Sequence, residues 1–405
     1  MSNLKIFLIV ALVFSQSIFA EVKNKSKEAP ITQDELEAKA VMNQVYESFI
    51  KLIPYIYSDK LILEGKDKKV QDEITLNLTD LQKAFKNAKH INLLKIPGFK
   101  PSLETINTHI QDTIDSVNSK SKVFAHARLK AMTALCVSCH TGISEKVARN
   151  AFGEAIASVK RDQFESDFQF ANYLFLVRRF TEAKTYYEFA IREATSKVEK
   201  AAKNVQVDDK VVNGDIYTSL RRVLSIYTKI SLKPERAIDF LNKYKNDKSI
   251  SRFTKTDINQ WLTSLEKWKK FDINSMKNIN DFINKNLKPL EDAKDKVNSG
   301  EHDITLLISS GVLTKFLNDN PSTDLTPSIL YWLAVAEHRL STTYFFSLSD
   351  LYLKECINQF PKSDYAKKCY QEYEDNLVFG YSGSSGTDIP KEERQELDRL
   401  KALMK

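Results

Sequence analysis

Apolar residues recur every three or four positions along most of the chain, and strand-like alternation is rare, so the pattern predicts an all-α protein. Four such segments occupy residues of about 30 to 142. The first opens on Thr32-x-x-Glu35, a capping-box spacing, and carries Met42, Val45, Tyr46, Phe49, Ile53 and Tyr57 on one face. The second places Val70, Ile74, Leu78, Leu81, Phe85 and Ala88 in steps of three and four. A short turn at Glu64-Gly65-Lys66 makes these two antiparallel, and Pro97-Gly98 with Pro101 breaks the chain before the third. That third helix starts at about Ser102 and turns Leu103, Ile106, Ile110, Ile114 and Val117 inward. The fourth spans roughly Val123 to Thr141, where Ala127, Ala131 and Ala134 predict a small face against which a flat ligand could lie.

Past Gly142 the pattern becomes one of helix pairs, residues of about 145 to 380. Phe170, Ala171, Leu174, Phe180, Ala183, Tyr187 and Ala190 resemble the small-and-large spacing of tetratricopeptide repeats, in which alanines let paired helices approach and aromatics fill the gaps. A second unit lies around Ser219 to Tyr244, with Ala237, Leu241 and Tyr244 at matching offsets. A third, near Leu330 to Cys369, ends in Phe360-Pro361-Lys362-Ser363, which looks like the inter-repeat turn of periplasmic tetratricopeptide proteins. Residues 381–405 read as a flexible Gly/Ser connection and a terminal helix that begins after Pro390. Leu397, Leu400 and Leu403 on that helix would cap the last repeat.

Composition narrows the setting. A chain of 405 residues suggests two or three domains at roughly 150 residues each. Residues 1–20 read as a secretory signal peptide: Lys5 supplies the charged start, Ile6 to Phe14 the apolar stretch, and Ala20 a small residue at the cut. Beyond it no apolar run reaches the roughly 20 residues that a bilayer span needs, which predicts an exported, soluble protein of the periplasm without a transmembrane anchor. The net charge of +7 falls to +6 once Lys5 is gone, leaving 59 basic against 53 acidic side chains. Such a mild, dispersed excess suits solubility or an acidic protein partner, not nucleic acid.

Cys136-Val137-Ser138-Cys139-His140 is the chemistry-bearing run. Two thiols a helical turn apart can each add to a haem vinyl group, and the histidine after the second can bind the iron, the attachment pattern of a c-type haem. In a reducing cytosol the same run could hold zinc or serve as a redox dithiol, but an export signal favours haem. Cys356 and Cys369 flank the turn of the last helix pair. In an oxidising compartment they either pair, closing a short loop, or stay as buried thiols. Neither a Ser-His-Asp pattern, a second metal cluster nor a phosphate-binding glycine loop is evident, so no enzyme activity is expected.

Four helices with C-x-x-C-H at the end of the last resemble the cytochrome c-prime family and its low-spin relatives. The likeness covers about 110 residues and rests on helix count, order and motif position. It implies one covalent haem c, with Cys136 and Cys139 as thioether anchors and His140 as the proximal iron ligand. Met42 would occupy the helix on which low-spin members carry a distal methionine. The departure is Thr141-Gly142-Ile143-Ser144 after the histidine, where members often have an aromatic and a basic residue. Met42 has two readings, distal ligand or pocket packing. His90, His109 and His126 are rivals for the sixth position, but their polar neighbours suggest surface histidines. The expectation is a one-electron carrier whose repeats dock a periplasmic redox protein or an envelope protein. Two alternatives are a five-coordinate gas-binding haem protein and an envelope scaffold in which haem is secondary.

Overall fold

Helix α1 (Gln33–Tyr57) starts immediately after Thr32, whose carbonyl accepts from Leu36 N at 3.1 Å. Its inward positions are Ala38, Met42, Val45, Phe49, Leu52 and Ile56, spaced by three and four as one helical face requires. This computed structural model describes residues 32–57, 67–88, 91, 103–119, 122–142, 159–201, 209–273, 278–291, 300, 302–320, 322–340, 344, 348–384 and 386–405. The leader at 1–20, the turn at Glu64 to Lys66, His90 and the Pro97–Pro101 break lie outside those residues. So do the side chains of 134–142, whose backbone is described.

Asp67 caps α2 (Lys68–Asn87) by accepting from Lys69 N at 2.9 Å, filling one of the orphan donors of the first turn. Helices α3 (Leu103–Asn118) and α4 (Lys122–Gly142) follow. Each packs on the one before it, and α4 returns to α1, so the four close a ring. Side-chain bonds fix the directions. Tyr55 Oη near the end of α1 donates to Glu73 Oε2 near the start of α2, at 3.3 Å. Gln82 Nε2, late in α2, donates to Asn107 O, early in α3, at 3.2 Å. His109 Nε2 of α3 lies 3.3 Å from Arg128 O of α4. Neighbours are therefore antiparallel throughout, and α4 is antiparallel to α1.

The rest of the chain is helical as well. Ser166 caps α5 (Asp167–Leu176), which pairs with α6 (Phe180–Ala201). The turn between them uses Arg178 at φ 64°, a left-handed position usually given to glycine. Helix α7 (Asp209–Ser225) packs on α6 and widens into a π-turn at Ile226–Ile230. There follow α8 (Pro234–Asn242), α9 (Arg252–Trp268), α10 (Ile279–Asn286), the short α11 (Lys288–Glu291), α12 (Asp303–Asp319) and α13 (Thr326–His338). Helices α14 (Ser349–Gln359), α15 (Asp364–Gly380) and α16 (Lys391–Leu403) complete the order.

Helices α12 and α13 are buried almost all round, as a helix apolar on every side must be. Phe170, Ala171, Leu174, Ala183, Tyr187 and Ala190 are core residues of the α5–α6 pair, and Ala237, Leu241 and Tyr244 of the α8 turn. The later helices come back to the first four: α12 touches α4, and α14 touches α3.

The C-terminal segment differs from the flexible connection expected there. Ser382–Gly383 (β1) pairs antiparallel with Gly386–Thr387 (β2), Gly386 taking φ 109°, and Asp388 N donates to Tyr381 O at 3.0 Å. Backbone donors and acceptors close locally in this hairpin, so glycine here serves a tight turn. Helix α16 then lies on α14 and α15 through Leu397 and Leu400, while Leu403 is 43% exposed and contributes little. No described helix is long and apolar enough to cross a membrane.

Candidate haem site

Helix α4 is rich in strong helix formers (Ala, Arg, Leu, Lys and Met) and runs unbroken through the C-x-x-C-H run to Gly142. Its described buried residues are Ala125, His126, Leu129, Met132 and Thr133. Continuing the 3.6-residue repeat from these five residues brings positions 136 and 140 onto the same helical face, with position 139 at its edge. The inward face is thus not the expected one: Ala127 is exposed and Ala131 only half-buried, so these two alanines turn away from the interior. Leu129 and Met132 fill that interior instead.

The height of each helix relative to the other follows from one contact. His126 Nε2 lies 3.3 Å from Ile56 O, which sets α4 against α1. Because the two run antiparallel with equal rise, each step forward on α4 corresponds to a step back on α1. Fourteen residues on from His126 is His140; fourteen back from Ile56 is Met42. Met42 therefore stands level with His140 to within about a turn, roughly 5 Å. It is 9% exposed and on the inward face of α1.

The same ruler disposes of two rivals. His126 and His109 are not surface residues. His126 is 4% exposed and held at Ile56 O, and His109 is half-buried against Arg128 O. Burial, with Arg128 and then Lys354 nearby, pushes His109 down to about 4, against the lesser opposing pull of its bond to Arg128 O. Both are level with the opposite end of α4, roughly 20 Å from His140. Met132, one turn before Cys136, is a buried core residue of α4 itself.

Helix α1 has a second buried edge. Tyr46 Oη and Tyr173 Oη of α5 are 2.9 Å apart, and Tyr57 Oη donates to Asn172 O at 3.4 Å. Asn172 Oδ1 in turn accepts from Tyr187 Oη at 2.8 Å. Burial raises both Tyr46 and Tyr173, so both phenols stay protonated at neutral pH. Sequence reading put Tyr46 and Tyr57 on the apolar face. Their separation of three helical turns is the signal that they form a common edge, but nothing in the sequence names their partner.

Cys356 of α14 and Cys369 of α15 are joined by a disulfide, their Cα atoms 6.6 Å apart, far along the chain from the C-x-x-C-H run. A second constellation escaped the sequence reading. The Arg221 guanidinium lies 4.0 Å from the ring centre of Tyr217, 4.7 Å from Tyr344 and 5.7 Å from Trp261. Asp257 and Asp303 approach its Nη2 at 3.8 and 3.9 Å, and Trp261 Nε1 donates to Asp303 at 3.0 Å. The Tyr217 and Tyr344 hydroxyls donate to Asp257 and Asp303 respectively. These groups bond to one another, which marks a structural hub.

Among the described side chains, no three His, Cys, Asp or Glu converge as a metal site would require; those of Cys136, Cys139 and His140 are not among them. The residues that are present nonetheless fit a haem c on the chemistry of the donor set. Two thiols and an imidazole follow one another on an unbroken helix, and a thioether stands level on the antiparallel neighbour. Comparison with protein-family models, curated proteins and solved structures finds no match to this chain.

Proposed function

We propose that this chain is an exported c-type cytochrome with one covalently attached haem, carrying single electrons for a protein partner in the periplasm. Its architecture is read as a four-helix haem domain similar to the cytochrome c-prime family, followed by tetratricopeptide-like repeats that serve as the docking scaffold. The observation that carries the reading is the placement of Cys136-x-x-Cys139-His140 on the last turns of α4, in register with its buried face and level with Met42. In this reading Cys136 and Cys139 would anchor the haem, and His140 and Met42 would hold its iron. The haem supplies one-electron exchange at its iron when bound, at a potential set by axial ligand and burial. Leu129, Met132, Val45 and Phe49 supply an apolar interior that keeps water away. The Cys356–Cys369 disulfide supports an oxidising compartment, where such bonds persist.

Expression with cytochrome maturation machinery tests the reading. Acid-acetone extraction should leave colour on the wild-type chain and remove it from Cys136→Ser/Cys139→Ser. Haem that extracts freely from the wild type would overturn the assignment.

One observation favours a second reading. Met42 belongs to a continuous hydrophobic cluster and would be at home there as packing alone. The iron would then be five-coordinate and open to nitric oxide or carbon monoxide. A high-spin ferric spectrum in the wild type would select this alternative.

A further inference from the structure

Met42 sits near the start of α1. Ahead of it, Ala38 is the only core residue among the described side chains, and Leu36 is exposed. A polar tie to this part of α1 comes from the side. Tyr46 is one turn further on and about 40° round the helix, so the two residues share a turn of backbone. Its hydroxyl meets that of Tyr173 on α5, in the buried interior. Tyr57 reaches the adjacent residue, Asn172, from the other side of the crossing. Helix α5 is itself fixed by the Tyr187–Asn172 bond to α6, by Phe164 packed on its Tyr173 and by Tyr186 packed on its Phe170.

We infer that the Tyr46–Tyr173 bond positions the Met42 turn of α1, so that the first helix pair of the repeats sets how firmly the iron's sixth site is held. Tyr46 and Tyr173 are positioning residues, acting through the backbone of α1 and not on the haem. The inference rests on the proposed haem reading with Met42 as ligand. It gives the repeats a part in the redox site: a partner that shifts α5 on docking also shifts the sixth ligand.

The test uses the full-length haem-loaded chain with Tyr173→Phe, Tyr46→Phe and the double variant. Removing one buried hydrogen bond should open about fivefold more iron to carbon monoxide and add a high-spin ferric fraction. Since a single bond is at stake, the double variant should match Tyr173→Phe. A second readout needs no haem. In a Cys136→Ser/Cys139→Ser background, Tyr173→Phe should speed amide hydrogen exchange of residues 39–46 while α2 and α3 are unchanged. A lowered thermal midpoint with unaltered spectra, carbon monoxide binding and exchange would make the bond merely structural and overturn the inference. So would a wild type already high-spin, since Met42 would then not be the ligand. A wild type lacking covalent haem fails the parent reading instead, and the exchange measurement then decides the coupling of α5 to the Met42 turn.

Discussion

The first four helices and the helices after them are both packed around apolar cores, but their buried polar groups differ in how many helices they tie together. In α1–α4 most buried polar side chains turn back on nearby backbone: Thr113 Oγ1 donates to His109 O at 2.7 Å, Ser116 Oγ to Asp112 O at 2.6 Å, and Asn77 Nδ2 to Glu73 O at 2.8 Å. Such bonds are local and leave the helix faces to aliphatic seams. In the later helices buried polar groups bond across long stretches of sequence. Arg221 is caged by Tyr217, Trp261 and Tyr344 between Asp257 and Asp303. Glu337, 1% exposed, accepts from Lys229 Nζ at 2.6 Å, Ser310 Oγ at 3.0 Å and Leu348 N at 3.0 Å. Both regions rest on periodic apolar contact; polar ties in the first run singly between neighbouring helices, as at His126 and Ile56 O, while in the second they gather into clusters that join several helices.

The largest expected effect falls on the Arg221 hub. Arg221→Leu leaves Asp257 and Asp303 buried without their cation, and losing one partner of such a set costs about 3–5 kcal/mol. Denaturant unfolding followed by circular dichroism measures it. Adding Asp257→Asn and Asp303→Asn should recover much of the loss, since the uncompensated charge is then gone. A single-variant cost below about 1 kcal/mol would mean that the hub is no more than surface-like, and the contrast between regions would collapse.

Next in size is the disulfide. Cys356 and Cys369 are 13 positions apart, and closing so short a loop restricts the unfolded chain by about 3 kcal/mol. Cys356→Ser/Cys369→Ser should lower the unfolding midpoint by that equivalent and leave the spectrum of the proposed haem untouched, because the pair joins α14 to α15, away from α1 and α4. A spectral change would show that the two regions are more tightly coupled than the packing implies.

A smaller loss is expected where α12 crosses the π-turn after α7. A Cβ at Gly311 would stand 2.1 Å from Lys229 O, a backbone atom that cannot swing aside. Gly311→Ala must push the helix from the turn, and overpacking of this kind costs about 1–3 kcal/mol. The matched control is Gly214→Ala on α7, where nothing lies within 4 Å, and its helix propensity should make it neutral or mildly stabilising. Equal effects at the two sites would remove the close crossing as a constraint.

These contrasts also explain what could be read from the sequence. The boundaries of α3 and α4, the inward isoleucines of α3 and the core residues of the α5–α6 pair follow from apolar spacing alone, because each side chain reports its own face. The face of α4 did not follow from its alanines. Ala125, Ala127 and Ala131 are alike in type, and only Leu129 and Met132 tell which of them turns inward. The left-handed turns at Arg178 and Leu232 carry no glycine, so tertiary contacts must hold them and no local signal announces them. The Arg221 cage draws on residues up to 127 positions apart, from Tyr217 to Tyr344. An arginine between Leu220 and Arg222 looks like an ordinary polar position until its partners are in place. In the C-x-x-C-H run, motif and helix were both legible, while the level of Met42 required the contact between His126 and Ile56.

The smallest effect is expected at the seam where the regions meet, and it depends on pH. His109 of α3 is half-buried beside Arg128, with Lys354 of α14 also repelling its charged form, and is pushed down to about 4 from an ordinary 6.5. The folded chain thus resists a proton that the unfolded chain accepts. Stability from this group is complete above about pH 6.5 and is lost as the pH falls toward 4. A full shift of this size corresponds to about 3 kcal/mol, and the partial solvent exposure of the ring reduces the expected loss to about 1–2 kcal/mol. His109→Gln keeps a neutral donor for Arg128 O and removes the titration, so its unfolding free energy should lose less than the wild type's between pH 6.5 and 4. Asp112, raised by burial against the pull of Arg128, faces the same seam. Its titration would persist in the variant and so serves as the internal reference. Lys354→Met should move His109 back toward its ordinary value, and with it the acid midpoint, because one of the two cations opposing the proton is gone. An unmoved midpoint would mean that α14 touches α3 without sensing its charge, and that the two regions meet through packing alone.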